Sequence, residues 1–507
     1  MRRVAALLLA GVLCLSLCAC ANQPVSSQTP PPQEERPTVA PEPERQLSLA
    51  YDPAASLNPI FSDSPVNRVL TTLVYEGLFS LDGNGVPCPV LAEVAECNDT
   101  ATVWTITVKE GVVFSDGTPF EAGHAADSLN NARSSPVYAQ RLKDVKSVRA
   151  NEDKVVISLS AGNGNLPALL DIPIVLEREG EPAPLGTGRY RYAMSEDGLY
   201  LLTNYNRDGN LPYESIGLSP AVGTSGRISA FDSGASHVAI TDFTSPYALG
   251  YSCDYEQWDY TTTDLLYVGF KCADSPCAEP LVRQAFAKAF DRDSVVSGAL
   301  AGYGEATSLP VPAGHADCFG AAASLLEYDL TGAEELLFRA GFRRNEEDGL
   351  LYRDRKPLSV TLAVNSDNEF KLAAAELLAG ELARLGVTVT VNKLLWQDYL
   401  TALDKGDFDL YLGEVRMTGD YDVTELIAGS LNYGGYDPAM LSDLIAARKA
   451  ASGESRAMAC RNLWNIFVLE VPIAPLCFME ESMLVRWGAR VAPAPLYNDP
   501  FYGLENW

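Results

Sequence analysis

The chain has 507 residues, 47% of them hydrophobic, with 66 acidic against 38 basic side chains and a net charge of −28. That length supports two or three domains with sizeable cores. The charge disfavours nucleic acid or an anionic membrane surface as partner, because both would repel it.

Arg2 and Arg3 precede an apolar run from Val4 to Leu17 that is too short for a membrane span. It ends in Leu17-Cys18-Ala19-Cys20, which is similar to a bacterial lipobox with small Ala19 before the modified cysteine. The expectation is a signal peptide over 1–19 and lipidation at Cys20, with a plain secretory peptide cut nearby as the alternative. Residues 20–45 carry seven prolines among Gln, Ser, Thr and Glu. Such a stretch cannot bury enough apolar surface to fold, and it reads as a semi-rigid leash of at most roughly 75 Å.

Leu57-Asn58-Pro59-Ile60 reads as a loop, and Val69 to Leu81 as a helix with Val69, Leu73, Val74 and Leu78 inward. Trp104, Ile106 and Val108 alternate with polar residues as in a half-buried strand. Glu110-Gly111 turns the chain, Val112 to Phe114 is a second short apolar run read as a strand, and Asp116-Gly117-Thr118-Pro119 turns the chain again. Ala122, Ala125, Ala126 and Leu129 then fall at helical spacing. Val145 to Leu159 fits a strand pair turning at Asn151-Glu152-Asp153, and 192–242 is Ser/Gly-rich with little pattern.

From Asp264 the alternation sharpens. Leu265 to Phe270 is a strand, Leu281 to Phe290 an amphipathic helix, and Asp293 an N-cap for the next helix at Ser294. Thr331 to Glu334 reads as a capping box for a helix ending at Gly341. Strands at 358–364, 387–391 and 408–412 alternate with helices at 369–385 and 397–404. This pattern predicts an α/β fold with a largely parallel sheet. Helices follow at 436–450 and 460–470. Ligands of such sheets bind beyond the carboxyl ends of the strands, which points to the loop after Leu412.

Outside the leader eight cysteines remain. Cys272 and Cys277 flank a turn-like Ala-Asp-Ser-Pro-Ala spacer and make the first candidate disulfide, with Cys88 and Cys97 next. There is no C-x-x-C, and the three histidines are scattered, so neither a metal site nor a cofactor is expected. Gly186-Thr187-Gly188 lacks the lysine and helix of a phosphate loop. No G-x-S-x-G or H-E-x-x-H points to an enzyme.

The run from Trp104 to Phe120, W-x-x-x-V-K-x-G-V-x-F-x-D-G-x-P-F, resembles the signature of the extracytoplasmic solute-binding proteins of ABC importers, in the peptide- and nickel-binding family. Tyr75-Glu76-Gly77-Leu78, Gly186-Thr187-Gly188 and the Val282-Arg283-Gln284-Ala285 to Asp291-Arg292 block are similar to further family stretches. Two departures, Glu121 and His124, weaken a local helix cap. The resemblance covers 45–507 and implies a two-lobed periplasmic-binding-protein-like fold with a hinge. Its expected parts are a first lobe over 46–268 with an inserted subdomain at about 67–170, a second lobe over 269–480, and a return over 481–507. The crossings are expected near 266–271 and 476–481.

The resemblance further implies a monomeric receptor on the outer face of the cytoplasmic membrane or in the periplasm, held to the membrane by its lipid anchor alone. It would capture a small solute, most readily an oligopeptide, and deliver it to an ABC permease. A receptor for a metal chelate or oligosaccharide, or a peptide-signal receptor without transport, remains the alternative. Asp420 matches the family's aspartate that captures a peptide amino terminus, unless it only fixes the Gly419-Asp420 turn. Met417 stands where relatives have Trp, beside Arg416. Trp396, Tyr399, Tyr433 and Tyr436 are further candidates for the pocket wall, each alternatively a core residue.

Overall fold

The computed structural model describes residues 46–507 except 208–210, 247, 249 and 490. The expected signal peptide, the Pro-rich leash and Cys20 lie outside the described residues.

The body is α/β and two-lobed, with one apolar core per lobe. One core gathers buried residues from Leu47 to Tyr260 together with Met483 to Trp507, and the other runs from Leu265 to Met479. Two long antiparallel strands, Tyr255–Phe270 and Ile473–Arg486, pass from one core to the other. Their pairing shifts register between Thr261 and Leu265 and again between Leu266 and Tyr267. Extra residues in one strand of a pair bend and twist it. The first passage therefore falls at Thr261-Thr262-Thr263-Asp264, earlier than the expected 266–271. Leu265 to Phe270, flanked on both sides by strands, is committed to the second core.

In the first lobe Leu47–Tyr51 runs parallel to Ser215–Pro220, which continues antiparallel into Gly198–Thr203 and Tyr190–Ser195. A separate antiparallel sheet holds Ala92–Cys97, Val103–Val108, Lys154–Leu159 and Val145–Asn151, in that order. Helix Ala122–Ala132 packs against it. This helix keeps its cap despite the sequence departures, because the Glu121 N–H donates to His124 Nδ1 at 3.1 Å. The helix expected over 69–81 is a correction. Two short helices, Pro65–Val69 and Thr71–Val74, are followed by the strand Phe79–Leu81. Gly77 lies against the Leu170–Asp171 backbone, where a Cβ would come within 2.8 Å of the Asp171 carbonyl carbon.

The largest sheet, which runs through both lobes, is mixed rather than largely parallel. Its order is Val238–Thr241, Ile473–Arg486, Tyr255–Phe270, Leu410–Arg416, Ser359–Asn365, Thr388–Leu394. The parallel pairs are the two that Ser359–Asn365 makes, with Thr388–Leu394 and with Leu410–Arg416; the crossing strands impose antiparallel pairing elsewhere. Helix Glu369–Arg384 makes the right connection for parallel pairing. Asn368 caps it by accepting from the Phe370 and Lys371 N–H groups, and Gly386 leaves it at φ +83°. Two expected caps shift: Asp291, not Asp293, accepts from the Ser294 N–H, and Asp329 rather than Thr331 accepts from the Gly332 N–H.

Arg283 and Arg292 are buried braces. Arg283 donates to the Glu470, Val471, Cys277 and Ala278 carbonyls, and Arg292 to those of Pro475, Ala287, Phe290 and Leu326. The disulfide expected between Cys272 and Cys277 is not formed; both are free thiols, as are Cys88 and Cys97. Cys277 points into the core from a 3-10 turn, while the Cys272 thiol faces the Phe270 carbonyl at 3.4 Å. Among the described residues no helix is long and apolar enough to cross a membrane.

Candidate functional site

The strand Leu410–Arg416 carries the chain out of the largest sheet into the loop 417–422, which reaches the first lobe. Its conformation is held from behind. Asp317, buried in the second lobe, accepts from Arg448 Nη2 at 2.7 Å and from Arg456 Nε and Nη2 at 2.9 and 2.5 Å. The same two guanidinium groups donate to the Asp420 carbonyl, and Arg448 also donates to that of Tyr421 at 2.9 Å. Tyr421 sits at φ +50°, a left-handed conformation that side chains with a Cβ adopt only when surroundings enforce it. Burial raises the Asp317 carboxyl, but Arg448 and Arg456 outweigh it and hold it down to about 2.

The first lobe meets this loop through Gly162-Asn163-Gly164. The Asn163 carbonyl accepts from the Trp104 indole at 2.9 Å, so the first residue of the signature run fixes it. Its Nδ2 donates across the lobe boundary to Asp420 Oδ2 at 3.0 Å. Thr418 Oγ1 donates to Asp420 Oδ1 at 2.6 Å. Asp420 is only 4% exposed, and among the described residues its carboxylate accepts from these two neutral donors and is in no direct ion pair, the Arg448 guanidinium acting on it only through space. Buried carboxylates are normally paired with a positive charge.

Asp420, Met417 and Arg416 line one cavity of about 220 Å³ between the lobes, faced by Arg141, Asn163 and Leu166 of the first. Arg416 is already engaged, its Nε and Nη2 donating to the two Asp264 carboxylate oxygens at 2.8 and 2.6 Å. Met417 is buried and supplies the apolar wall. Trp396, Tyr433 and Tyr436 do not line this cavity. Trp396 is exposed and stacks on Tyr399, whose hydroxyl donates to the Leu412 carbonyl. Tyr433 packs on Tyr411, and Tyr436 lies under Arg283 with its hydroxyl toward Glu470.

Sequence reasoning missed the charged rim. Lys449 Nζ donates to Asp144 of the first lobe at 2.7 Å and to Asp422 of the second at 2.8 Å. Lys143 reaches Glu425 across the same gap. Burial pulls the Lys449 ammonium down, but Asp422 and Asp144 prevail and hold it above the ordinary lysine range. One signal was available in Gly162-Asn163-Gly164. A Cβ on Gly164 would lie 2.2 Å from the Ala451 carbonyl oxygen, so glycine there marks close approach of the lobes.

A second cavity, of about 290 Å³, lies beyond Tyr421 between the turn 82–85, the crossing strand at 259–262, His315 and the tail 495–498. Trp396, Tyr433 and Tyr436 are absent from its lining as well.

Residues 87–434 match the family described as bacterial extracellular solute-binding proteins, family 5 Middle. The oligopeptide-binding protein AppA of Bacillus subtilis is 24% identical over 437 residues, covering 78% of each chain. The glutathione-binding protein GsiB of Salmonella paratyphi A is 24% identical over 459 residues, covering 83% of this chain and 86% of its own. The structure of NikZ from Campylobacter jejuni in complex with Ni(L-His) covers 92% of this chain and 99% of its own at 20% identity, with a TM-score of 0.60. At that identity the structural likeness is one of fold.

Proposed function

Because the chain belongs to the bacterial extracellular solute-binding proteins of family 5, we propose that it is a lipid-anchored receptor, tethered through Cys20, that closes on an oligopeptide and delivers it to an ABC permease. It works as a monomer outside the cytoplasmic membrane and catalyses nothing. Its first lobe takes 46–260 with 483–507 and holds the subdomain at about 67–170, and its second takes 265–479; the separation of the two cores supports this partition and moves the expected boundary back from 268.

The observation that carries the peptide reading is Asp420, a buried carboxylate at an inter-lobe cavity whose partners are all neutral. A peptide ammonium supplies a directly paired cation, in a charge-assisted hydrogen bond worth about 1.5–3 kcal/mol. The names of the curated relatives, an oligopeptide- and a glutathione-binding protein, agree with such a solute. Met417, at the position of the family's aromatic residue, favours a second reading in which the solute is a metal chelate or an oligosaccharide.

Native mass spectrometry of gently purified protein separates the two readings. A ladder of short peptides released on denaturation supports the first, and a single non-peptide mass the second. Calorimetry then tests Asp420. Asp420→Asn is expected to weaken free-amino peptides by roughly 10- to 100-fold and to leave N-acetylated peptides unchanged. Equal loss for both removes amino capture.

A further inference from the structure

The second cavity is acidic in a particular way. Asp82, Asp259 and Glu305 all line it. Asp82 accepts from the Asn84 and Val86 N–H groups, both at 2.9 Å. Asp259 accepts from Gln257 Nε2 and Ser482 Oγ, and Glu305 from Thr261 Oγ1 at 3.1 Å. Every one of these donors is neutral, and among the described residues no lysine or arginine is paired with any of the three. Burial, with Asp259 and Glu305, also lifts the neighbouring Glu480 carboxyl above its ordinary range.

His315 gives an independent sign of a guest. It is 7% exposed and lines the cavity, and its Nδ1 accepts from the Asp317 N–H at 3.1 Å. The neutral ring therefore carries its proton on Nε2. Burial, the largest influence, keeps the imidazole below its usual range and so neutral. Nε2 has no partner among the described residues, and its edge faces Gly85, where a Cβ would come within 3.1 Å of it. The cavity thus offers anionic acceptors, one unspent N–H donor, and the rings of Tyr260, Tyr421 and Tyr497, which suit a cation.

No cluster of described residues is arranged to hold a metal ion, and the mix of carboxylates, one N–H donor and aromatic rings suits an organic cation. At about 290 Å³ the space lies at the small end for ligand pockets, roughly 300–1,000 Å³, and suits one long side chain. We propose that this cavity is a specificity subsite for a basic side chain of the captured peptide, its guanidinium or ammonium facing Asp82, Asp259 and Glu305 while His315 Nε2–H donates to a carbonyl. The inference rests on the peptide reading of the Asp420 cavity and adds a preference that reading does not contain.

The test is calorimetry with Ala-Arg-Ala against Ala-citrulline-Ala, which replaces the guanidinium by a neutral urea of nearly the same shape. The wild-type protein is expected to prefer the arginine peptide at least tenfold. Glu305→Gln and Asp82→Asn, each checked for native melting, should bring the ratio close to one. Asp420→Asn should weaken both peptides and keep the ratio. Equal wild-type affinities, or a ratio unchanged in both carboxylate variants, overturn the subsite. If neither peptide binds, the peptide reading fails separately, and agmatine alone decides the cavity. Thermal stabilisation by agmatine that disappears in Glu305→Gln upholds a cation site; no stabilisation overturns it.

Discussion

Asp317 sits in an ordinary His-Ala-Asp-Cys stretch, yet two guanidinium groups and the Trp464 indole converge on it. Arg448 is itself buried, against the face of Trp464. Replacing Asp317 by Asn leaves two cations with no counter-charge, a loss of about 3–5 kcal/mol. Urea unfolding of Asp317→Asn should therefore show an unfolding free energy lower by that amount, and a change below about 1 kcal/mol would contradict the bracing role. The pH dependence has a definite sign. A carboxyl held down to about 2, against 3.8 unfolded, adds stability above pH 4 that is lost as pH falls toward 2. The lost contribution amounts to about 2 kcal/mol. Acid titration of wild type should show a limb in that window that Asp317→Asn lacks.

Elements were legible where local pattern and tertiary packing agree. The strand Val103–Val108, the helix Ala122–Ala132, the helix before Gly386 and the strand pair at 145–159 follow their periodicity because each has one apolar face and one core to cover, whereas the strand expected at 112–114 is reduced to a single bridge between Val113 and Pro119. The Tyr75–Leu81 stretch did not. Its helical spacing is overridden by contacts distant in sequence: Tyr75 donates to the Pro184 carbonyl, and Glu76 accepts from Thr187 and Arg207. The loop 413–422 could be located from sequence because a strand ends there, but its partners could not. Asn163, Asp144 and Lys449 belong to other elements, brought in by the fold. Gly164 tests that meeting. Its N–H donates to the Lys449 carbonyl at 2.7 Å, and no Cβ fits against Ala451. Gly164→Ala should weaken solute binding by roughly tenfold or more, about 1.4 kcal/mol, while leaving the melting of the ligand-free protein within a degree or two. Unchanged affinity would mean that this contact has no part in closure.

At the scale of the molecule, two cores joined by two strands can change their relative position only at the passages 260–265 and 479–483. What opposes opening is the rim, where Lys449 ties Asp144 to Asp422. Both carboxylates are on the far side of the boundary from one another, so opening must separate Lys449 from Asp144 and return both charges to water. In the pair that crosses the boundary the Lys449 and Asp144 side chains are 14% and 32% exposed, so the tie is less sensitive to salt than a fully exposed pair. Burial raises the Asp422 carboxyl, but Lys449 and Thr424 pull it below the ordinary range. Its contribution is accordingly present above the usual aspartate pKa and lost only as pH falls through that depressed value. Because Lys449 and Asp422 share the second lobe, this pair survives opening and holds the ammonium in place for Asp144. Lys449→Met should enlarge the ligand-free radius of gyration in small-angle scattering and weaken solute binding. A shift of about 1–2 kcal/mol toward the open state would change the open-to-closed ratio by roughly 5- to 30-fold. Scattering curves of wild type and Lys449→Met that superimpose, with and without solute, would place the closing force in the solute alone.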